Sequence, residues 1–291
     1  MQRGIDHLVL AVRNLDKAAV LFESLGFSLT PRAHHPFGTD NRLVQMQGNF
    51  LELLSVERPA DIFEPTETGF SFPAFNRDFL LNREGMSMLV LESKDEDRDQ
   101  RDFQDGGLRV HDPFTFSRIA KLPDGTEVTV GFSLTFASDP KMPETAFFTC
   151  RQWKPELFWK PEYQAHGNGA RAIAEVLLVA EDTTNAARFL SVLAGAPAEE
   201  IKSGEMAVDT PRGRLTALSP AALEARFAGT SRHFNGRPAA FAGFAVAVDD
   251  PDAAATTWRN AGLNVQSRAT GPWLEPETGI GAIIQAVAAS R

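Results

Sequence analysis

The chain has 291 residues, 43% apolar and 23% charged, enough to bury a sizeable core in about two domains. Its 38 acidic residues against 29 basic ones give a formal net charge of −9, which argues against duplex nucleic acid or an anionic membrane surface as the main partner. The lone cysteine, Cys150, excludes an internal disulfide and a Cys-based zinc cluster and fits a reducing, cytoplasmic setting.

The apolar run after His7 ends at Arg13, Asn14 and Asp16, far short of a signal segment or a membrane span. Ile5 to Val12 reads as a strand suited to burial on both faces. Asn14 caps a helix whose Leu15, Ala18, Ala19, Phe22 and Leu25 recur at helical spacing before Gly26 stops it. Short strands are expected at Phe27 to Thr30, Leu43 to Met46 and Phe50 to Leu54, separated by a His34 to Thr39 loop and a Gly48-Asn49 turn. The unit is therefore βαβββ. Residues 57–84, rich in Phe and holding Pro59, Pro65 and Pro73, read as an insertion of short helices. A second, diverged unit begins at Met86 to Leu91. It continues through a very polar helix at Lys94 to Gln104 and strands near Phe114 to Lys121, Glu127 to Phe136 and Ala146 to Cys150, with a turn at Pro123-Asp124-Gly125. The aromatic stretch 151–169 joins the halves and is expected to pack, over a pocket or between them.

The opening pattern recurs. Asp6 to Phe27 aligns without a gap on Ala174 to Gly195, and a third copy lies at Gly243 to Leu263. Units three and four then run from Ala172 to about Ser219 and from Phe241 to about Val287. The fold class is α+β, with four βαβββ modules in two pairs: residues 1–165, and a degenerate second pair at residues 170–291.

His7 begins an otherwise apolar strand, and Glu52 sits among Leu51, Leu53 and Leu54, where a buried carboxylate needs a partner. First and last strands of a βαβββ unit can approach, so one imidazole and one carboxylate can share Zn, Mn, Fe or Ni. Otherwise Glu52 lies on a wet strand face and His7 is a hydrogen-bonded core histidine. The His7 slot holds Ser87, Glu175 and Gly243 in the other units, and the Glu52 slot holds Thr149 or Cys150, then Thr216, then Gln285. No other unit repeats the pair, so further ligands must come from His34, His35, His111 or water. The second half is taken as structural. In HHPFGTDNRL, Gly38 suits positive φ, Thr39 and Asn41 offer polar contacts, and Arg42 suits a substrate carboxylate or phosphate. Which of the two adjacent histidines faces the site stays open; His35 with Glu52 is assigned to proton transfer, and His34, Thr39, Asn41 and Arg42 to substrate. Cys150 as a nucleophile with His111 or His166 lacks a reactive-thiol context and reads as a buried structural residue. Spacings for serine hydrolase, dinucleotide or NTPase chemistry are missing.

The segments GIDHLVLAVRNLDKAAVLFESLGF, HHPFGTDNRLVQM and NFLELLSV resemble the vicinal oxygen chelate superfamily, and within it the glyoxalase-like domain proteins. The likeness is dense through residue 56 and extends to FFTCRQWKPELFWKPEYQAHGNGA. It implies paired βαβββ modules curled into cups, often with a divalent metal held by the first and last strands. It further implies a small-molecule enzyme of the isomerase, lyase or dioxygenase type acting through metal chelation, with His7 and Glu52 as ligands. The alternative is a metal-free protein that sequesters a small apolar molecule, as bleomycin-resistance proteins do. A scaffold pairing with itself as a homodimer through exposed edge strands is a third reading.

Overall fold

The computed structural model describes residues 1–121 and 126–289; the expected Pro123-Asp124-Gly125 turn lies outside the described residues. The first half runs β1 (Ile5–Ala11), α1 (Leu15–Ser24), β2 (Ala33–His34), β3 (Thr39–Gln45) and β4 (Phe50–Val56). It continues with α2 (Phe72–Asn82), β5 (Gly85–Glu92), α3 (Glu96–Asp105), β6 (Arg109–Val110), β7 (Phe114–Lys121), β8 (Glu127–Ser138) and β9 (Ala146–Gln152). A one-turn α4 (Pro155–Phe158) lies in the connector. The second half runs β10 (Ala170–Ala180), α5 (Thr183–Ala194), β11 (Ala198–Lys202), β12 (Glu205–Asp209), β13 (Arg214–Leu218) and α6 (Pro220–Arg226). It ends with β14 (Ala239–Val248), α7 (Pro251–Asn260), β15 (Val265–Arg268), β16 (Gly271–Leu274) and β17 (Ile283–Ala288). The chain is thus α+β, with two mixed sheets.

Each sheet is two modules joined edge to edge. The first has the order β2-β3-β4-β1-β5-β9-β8-β6, with β7 also on β8; the second has the order β11-β12-β13-β10-β14-β17-β16-β15. In every module the first strand lies parallel to the last, and the two first strands of a pair meet antiparallel: β1 on β5, and β10 on β14. The second module departs from a plain βαβββ order because the long β8 is paired by β7 over most of its length and by β6 at its end.

Alternation along the central strands builds three apolar clusters. Leu8, Leu10, Leu51, Leu53, Leu89 and Leu91 on one face of the first sheet share a core with Ile173, Val176, Leu178, Phe241 and Phe244 of the second and with the helices. The opposite face of each sheet has its own cluster, around Val9, Phe37, Phe50, Phe72, Met88, Val90 and Phe148 in the first half and around Leu177, Phe227, Trp273 and Ile283 in the second. The two cups therefore stand back to back.

Two expected elements are corrected. Phe27 to Thr30 forms no strand: Ser28 N donates to His166 Nδ1 at 3.0 Å and Ser28 Oγ to Ala165 O at 2.6 Å, so the connector takes the hydrogen bonds that a neighbouring strand would have taken. The edge strand is instead the two-residue β2. The supposed loop from His34 onward is short, because Thr39, Asp40, Asn41 and Arg42 already belong to β3, which pairs with β4 along its whole length. Gly38 makes the turn at φ 90°, and a Cβ there would clash with the carbonyl oxygen of Arg58.

The very polar α3 is anchored by charge. It buries only Asp99 and Phe103; Asp99 accepts from Arg3 Nε at 2.6 Å, and Asp102 accepts from Arg3 Nη2 at 2.6 Å. Arg3 also donates to Leu193 O of α5 and lies over the Phe103 ring, so one guanidinium ties the start of the chain to both halves. Its side chain is only 3% exposed. Arg3→Ala leaves the Asp99 carboxylate buried without its cation, and the expected cost in urea unfolding is about 3 kcal/mol or more; a loss under about 1 kcal/mol, the scale of a surface pair, would show that the bridge is not buried in solution.

Candidate functional site

The cup of the first half encloses an apolar cavity with an empty volume of about 520 Å³, including the part open to solvent. Five strands aim polar groups into it, β9 through Gln152. On β1, His7 shares the inward face with Val9; on β4, Glu52 follows Phe50 and precedes Leu54; on β3, Asn41 precedes Leu43; on β7, Arg118 follows Phe116. The wall is aromatic, with Phe37, Phe72, Phe132 and Phe148 around these groups, and Phe158 of the connector closes one side. Gln45 pins that connector, donating to Phe158 O at 3.0 Å and accepting from Lys160 N at 2.9 Å.

His7 and Glu52 lie together, with Nε2 and Oε2 3.7 Å apart. Behind His7, the Asp6 carboxylate is 2.7 Å from Nδ1, so Nδ1 donates to Asp6 and Nε2 is turned toward Glu52 and the cavity. Phe50 stacks on the imidazole at 4.3 Å between centroids and fixes its plane. Glu52 Oε1 accepts from Asn41 Nδ2 at 2.5 Å. Burial raises the Glu52 carboxyl pKa, against the opposing pull of His7, the Asn41 hydrogen bond and Arg118.

The adjacent histidines divide. His35 points inward, its Nδ1 2.8 Å from Thr39 Oγ1 and its Nε2 3.9 Å from Glu52 Oε1. His34 points out: its side chain is 63% exposed and its Nδ1 lies 2.8 Å from Asp40. Alternation along β3 explains the rest of the expected loop, since Asn41 faces the cavity while Arg42 faces away, donating to Thr30 O at 2.9 Å and pairing with Glu23 at 3.4 Å. Thr39 touches His35 and does not line the cavity. His34 and Arg42 are thus not in the cup. The inward arginine is Arg118, which the sequence reading passed over; the alternation Phe114, Phe116, Arg118 along β7 carried its signal.

Further ligands do not assemble. Glu52 lies beside Val9, two residues after His7; in the partner module Val90 lies beside Phe148, and Met88 is two residues before Val90. The equivalent positions are therefore Met88 and Phe148 in place of the expected Ser87 and Thr149 or Cys150, and both are apolar. His111 bonds Ser138 Oγ at 2.9 Å, outside the cavity lining. Among the described residues no three His, Cys, Asp or Glu side chains converge on one point. The Arg118 guanidinium, whose charge is felt at Glu52, also adds positive charge to the cup, which disfavours a second cation there. This donor set does not fit a resident divalent ion. Cys150 lines the cavity as a neutral thiol, its pKa raised by burial and by Asp6 and Glu52, and His166 is committed to Ser28 and Gln45.

In the second cup Glu175 is held by Arg226 and by Thr216 at 2.6 Å, and at Gly243 a Cβ would clash with Ile283 O. Neither slot is free to act.

Burial, and then the charge of Arg118, hold the His35 pKa down at about 3 against an ordinary 6.5, so His35 does not titrate near neutral pH as a shuttle would. Between those values the folded chain binds fewer protons than the unfolded one. His35 therefore adds stability above the unfolded pKa that is lost as pH falls toward 3. Glu52 has the opposite sign: its raised pKa adds stability at acid pH that is lost as pH rises through the folded value. In urea unfolding between about pH 7 and pH 4, His35→Gln is expected to lose less stability than wild type, by up to about 1.4 kcal/mol per pH unit; equal slopes would mean that His35 is not held neutral.

Several solved structures share this architecture. A hypothetical protein from Staphylococcus aureus superposes with a TM-score of 0.68 at 13% identity, covering 99% of this chain and 100% of that one. A mutant of 4-hydroxymandelate synthase from Streptomyces coelicolor gives 0.57 at 11% identity, covering 100% and 94%. A xylose isomerase-like TIM barrel/4-hydroxyphenylpyruvate dioxygenase fusion protein gives 0.55 at 16% identity, covering 91% of this chain and 40% of that one. At these identities the likeness is one of fold. No curated protein matches the chain. The family profile described as "Glyoxalase-like domain" matches residues 5–194, from the first residue of β1 through the last residue of α5. With paired modules, the His7–Glu52 cup and a profile match over most of its length, the chain belongs to the glyoxalase-like domain family of the vicinal oxygen chelate superfamily.

Proposed function

We propose that the first cup binds a small apolar molecule and moves a proton on it, with His7 as base and Glu52 as acid and without a resident metal. The observation that carries this reading is the buried line Asp6–His7–Glu52 opening onto an aromatic cavity. Asp6 orients the imidazole and stabilises the imidazolium that forms, as a carboxylate behind a catalytic histidine does. Burial keeps the Glu52 proton on its oxygen to higher pH than in water, so a donor and an acceptor 3.7 Å apart face the same bound molecule. On a carbonyl compound, His7 Nε2 takes a proton from the carbon next to the carbonyl while the Glu52 carboxyl gives its proton to the carbonyl oxygen. The product is an enol, and reversal of the two transfers returns the proton to the same carbon and regenerates the carbonyl compound with that hydrogen exchanged. Asn41 holds Glu52 in place throughout.

A second reading, sequestration without chemistry, is favoured by Met88 and Phe148 at the partner-module positions, which add apolar wall and no reactive group. The two separate on hydrogen–deuterium exchange of phenylacetone in heavy water with a chelator present, followed by NMR. Wild type is expected to exchange the protons next to the carbonyl, and His7→Gln or Glu52→Gln to lower the rate by about 10²–10⁴-fold. Binding of phenylacetone with no exchange above buffer would leave sequestration. Elemental mass spectrometry on protein purified without a polyhistidine tag is expected to find no stoichiometric Zn, Mn, Fe or Ni; near-stoichiometric metal that vanishes in Glu52→Ala would overturn the metal-free reading.

A further inference from the structure

Arg118 is an anomaly that proton transfer does not use. It sits on β7 in line with Phe114 and Phe116, at the boundary between the aromatic cavity and a shallow outer depression lined by His34, Pro36 and Arg58. Among the described residues its guanidinium has no hydrogen bond, ion pair or ring contact. The acidic groups nearby are committed to other partners. Asp40 holds Arg58 at 2.7 Å and His34 at 2.8 Å, Asp61 is 3.3 Å from Arg58, and Glu52 accepts from Asn41 at 2.5 Å. A cation drawn toward an apolar wall without a counter-charge is unfavourable as it stands, and an arriving anion relieves it.

We infer that the ligand of this cup is an aryl carboxylate, its ring among the phenylalanines and its carboxylate on the Arg118 fork at the mouth. This deepens the small-molecule reading above and rests on it. The guanidinium presents paired N–H donors that match the two oxygens of a carboxylate. A single arginine with the Glu52 carboxyl further in suits one negative charge; a phosphate dianion would bring two charges against one cation. Phe37, Phe116 and Phe132 flank the position, so the part of the ligand next to its charged end meets ring faces and edges. The charge of Arg118 also explains how the family fold loads this cup without a metal: the cation that fixes the ligand belongs to the chain.

The test is calorimetric binding of hydrocinnamate and of its neutral amide to the full-length protein and to Arg118→Gln and Arg118→Lys. Thermal unfolding of each variant serves as a control; Arg118 is partly exposed on a strand paired only to β8, so both variants are expected to melt near wild type. In wild type, the acid is expected to bind at least about tenfold more tightly than the amide. Arg118→Gln should abolish that preference, and Arg118→Lys, a point charge in place of a fork, should retain part of it. Equal binding of acid and amide by wild type, or a preference that survives Arg118→Gln, overturns the inference while leaving the aromatic cup intact. Binding of neither probe overturns both the cup as a site for apolar molecules and the inference that rests on it.

Discussion

The first half is organised around a carboxylate enclosed by aromatic rings. Glu52 lies on a strand whose every other inward neighbour is apolar, and its burial is made tolerable chiefly by Asn41 and His7, which touch it. Each of those groups is in turn fixed by something behind it: His7 by Asp6 and Phe50, and Asn41 by its place in a strand paired along its whole length. His35, held by Thr39, fills the remaining side. Such an arrangement is rigid before any ligand arrives, which is what positioned proton transfer needs.

That rigidity has a cost in strand design. A strand that sends His7 into one cup and Leu8 into a shared core must be buried on both faces, and the back-to-back stacking of the two sheets provides the second face. The second half then acts as a counterpart for the first. Its own cup is closed by Phe227, Trp273 and the Glu175–Arg226 pair, and its helices and strands complete the core beneath β1, β4 and β5. The family profile runs past the connector to the end of α5.

The connector shows how one segment serves both purposes. Phe158 walls the cavity while His166 bonds Ser28 and the Gln45 carbonyl, and Asn168 bonds Leu25 O. The dense aromatics of residues 151–169 pointed to packing; Phe158 packs over the cavity and Trp159 packs on Phe50 and Phe158, while Trp153 stays half exposed. They also displaced the strand expected at Phe27 to Thr30, because they offered its backbone other partners.

What the sequence by itself determined was the repeat, the module order and the pair His7 and Glu52, because these rest on local periodicity and on a carboxylate set among leucines. It also held, in Phe114, Phe116 and Arg118, the alternation that marks an inward arginine. The division of β3 was hidden, since its inward residues Thr39 and Asn41 are as polar as its outward Asp40 and Arg42, and a period of two cannot be read without a contrast. Only the tertiary structure decided which histidine and which arginine enter the cup, and that Met88 and Phe148 occupy the partner module's positions. Those outcomes depend on strand register and on which face meets the second sheet, since a one-residue offset sends the neighbouring side chain into the cup.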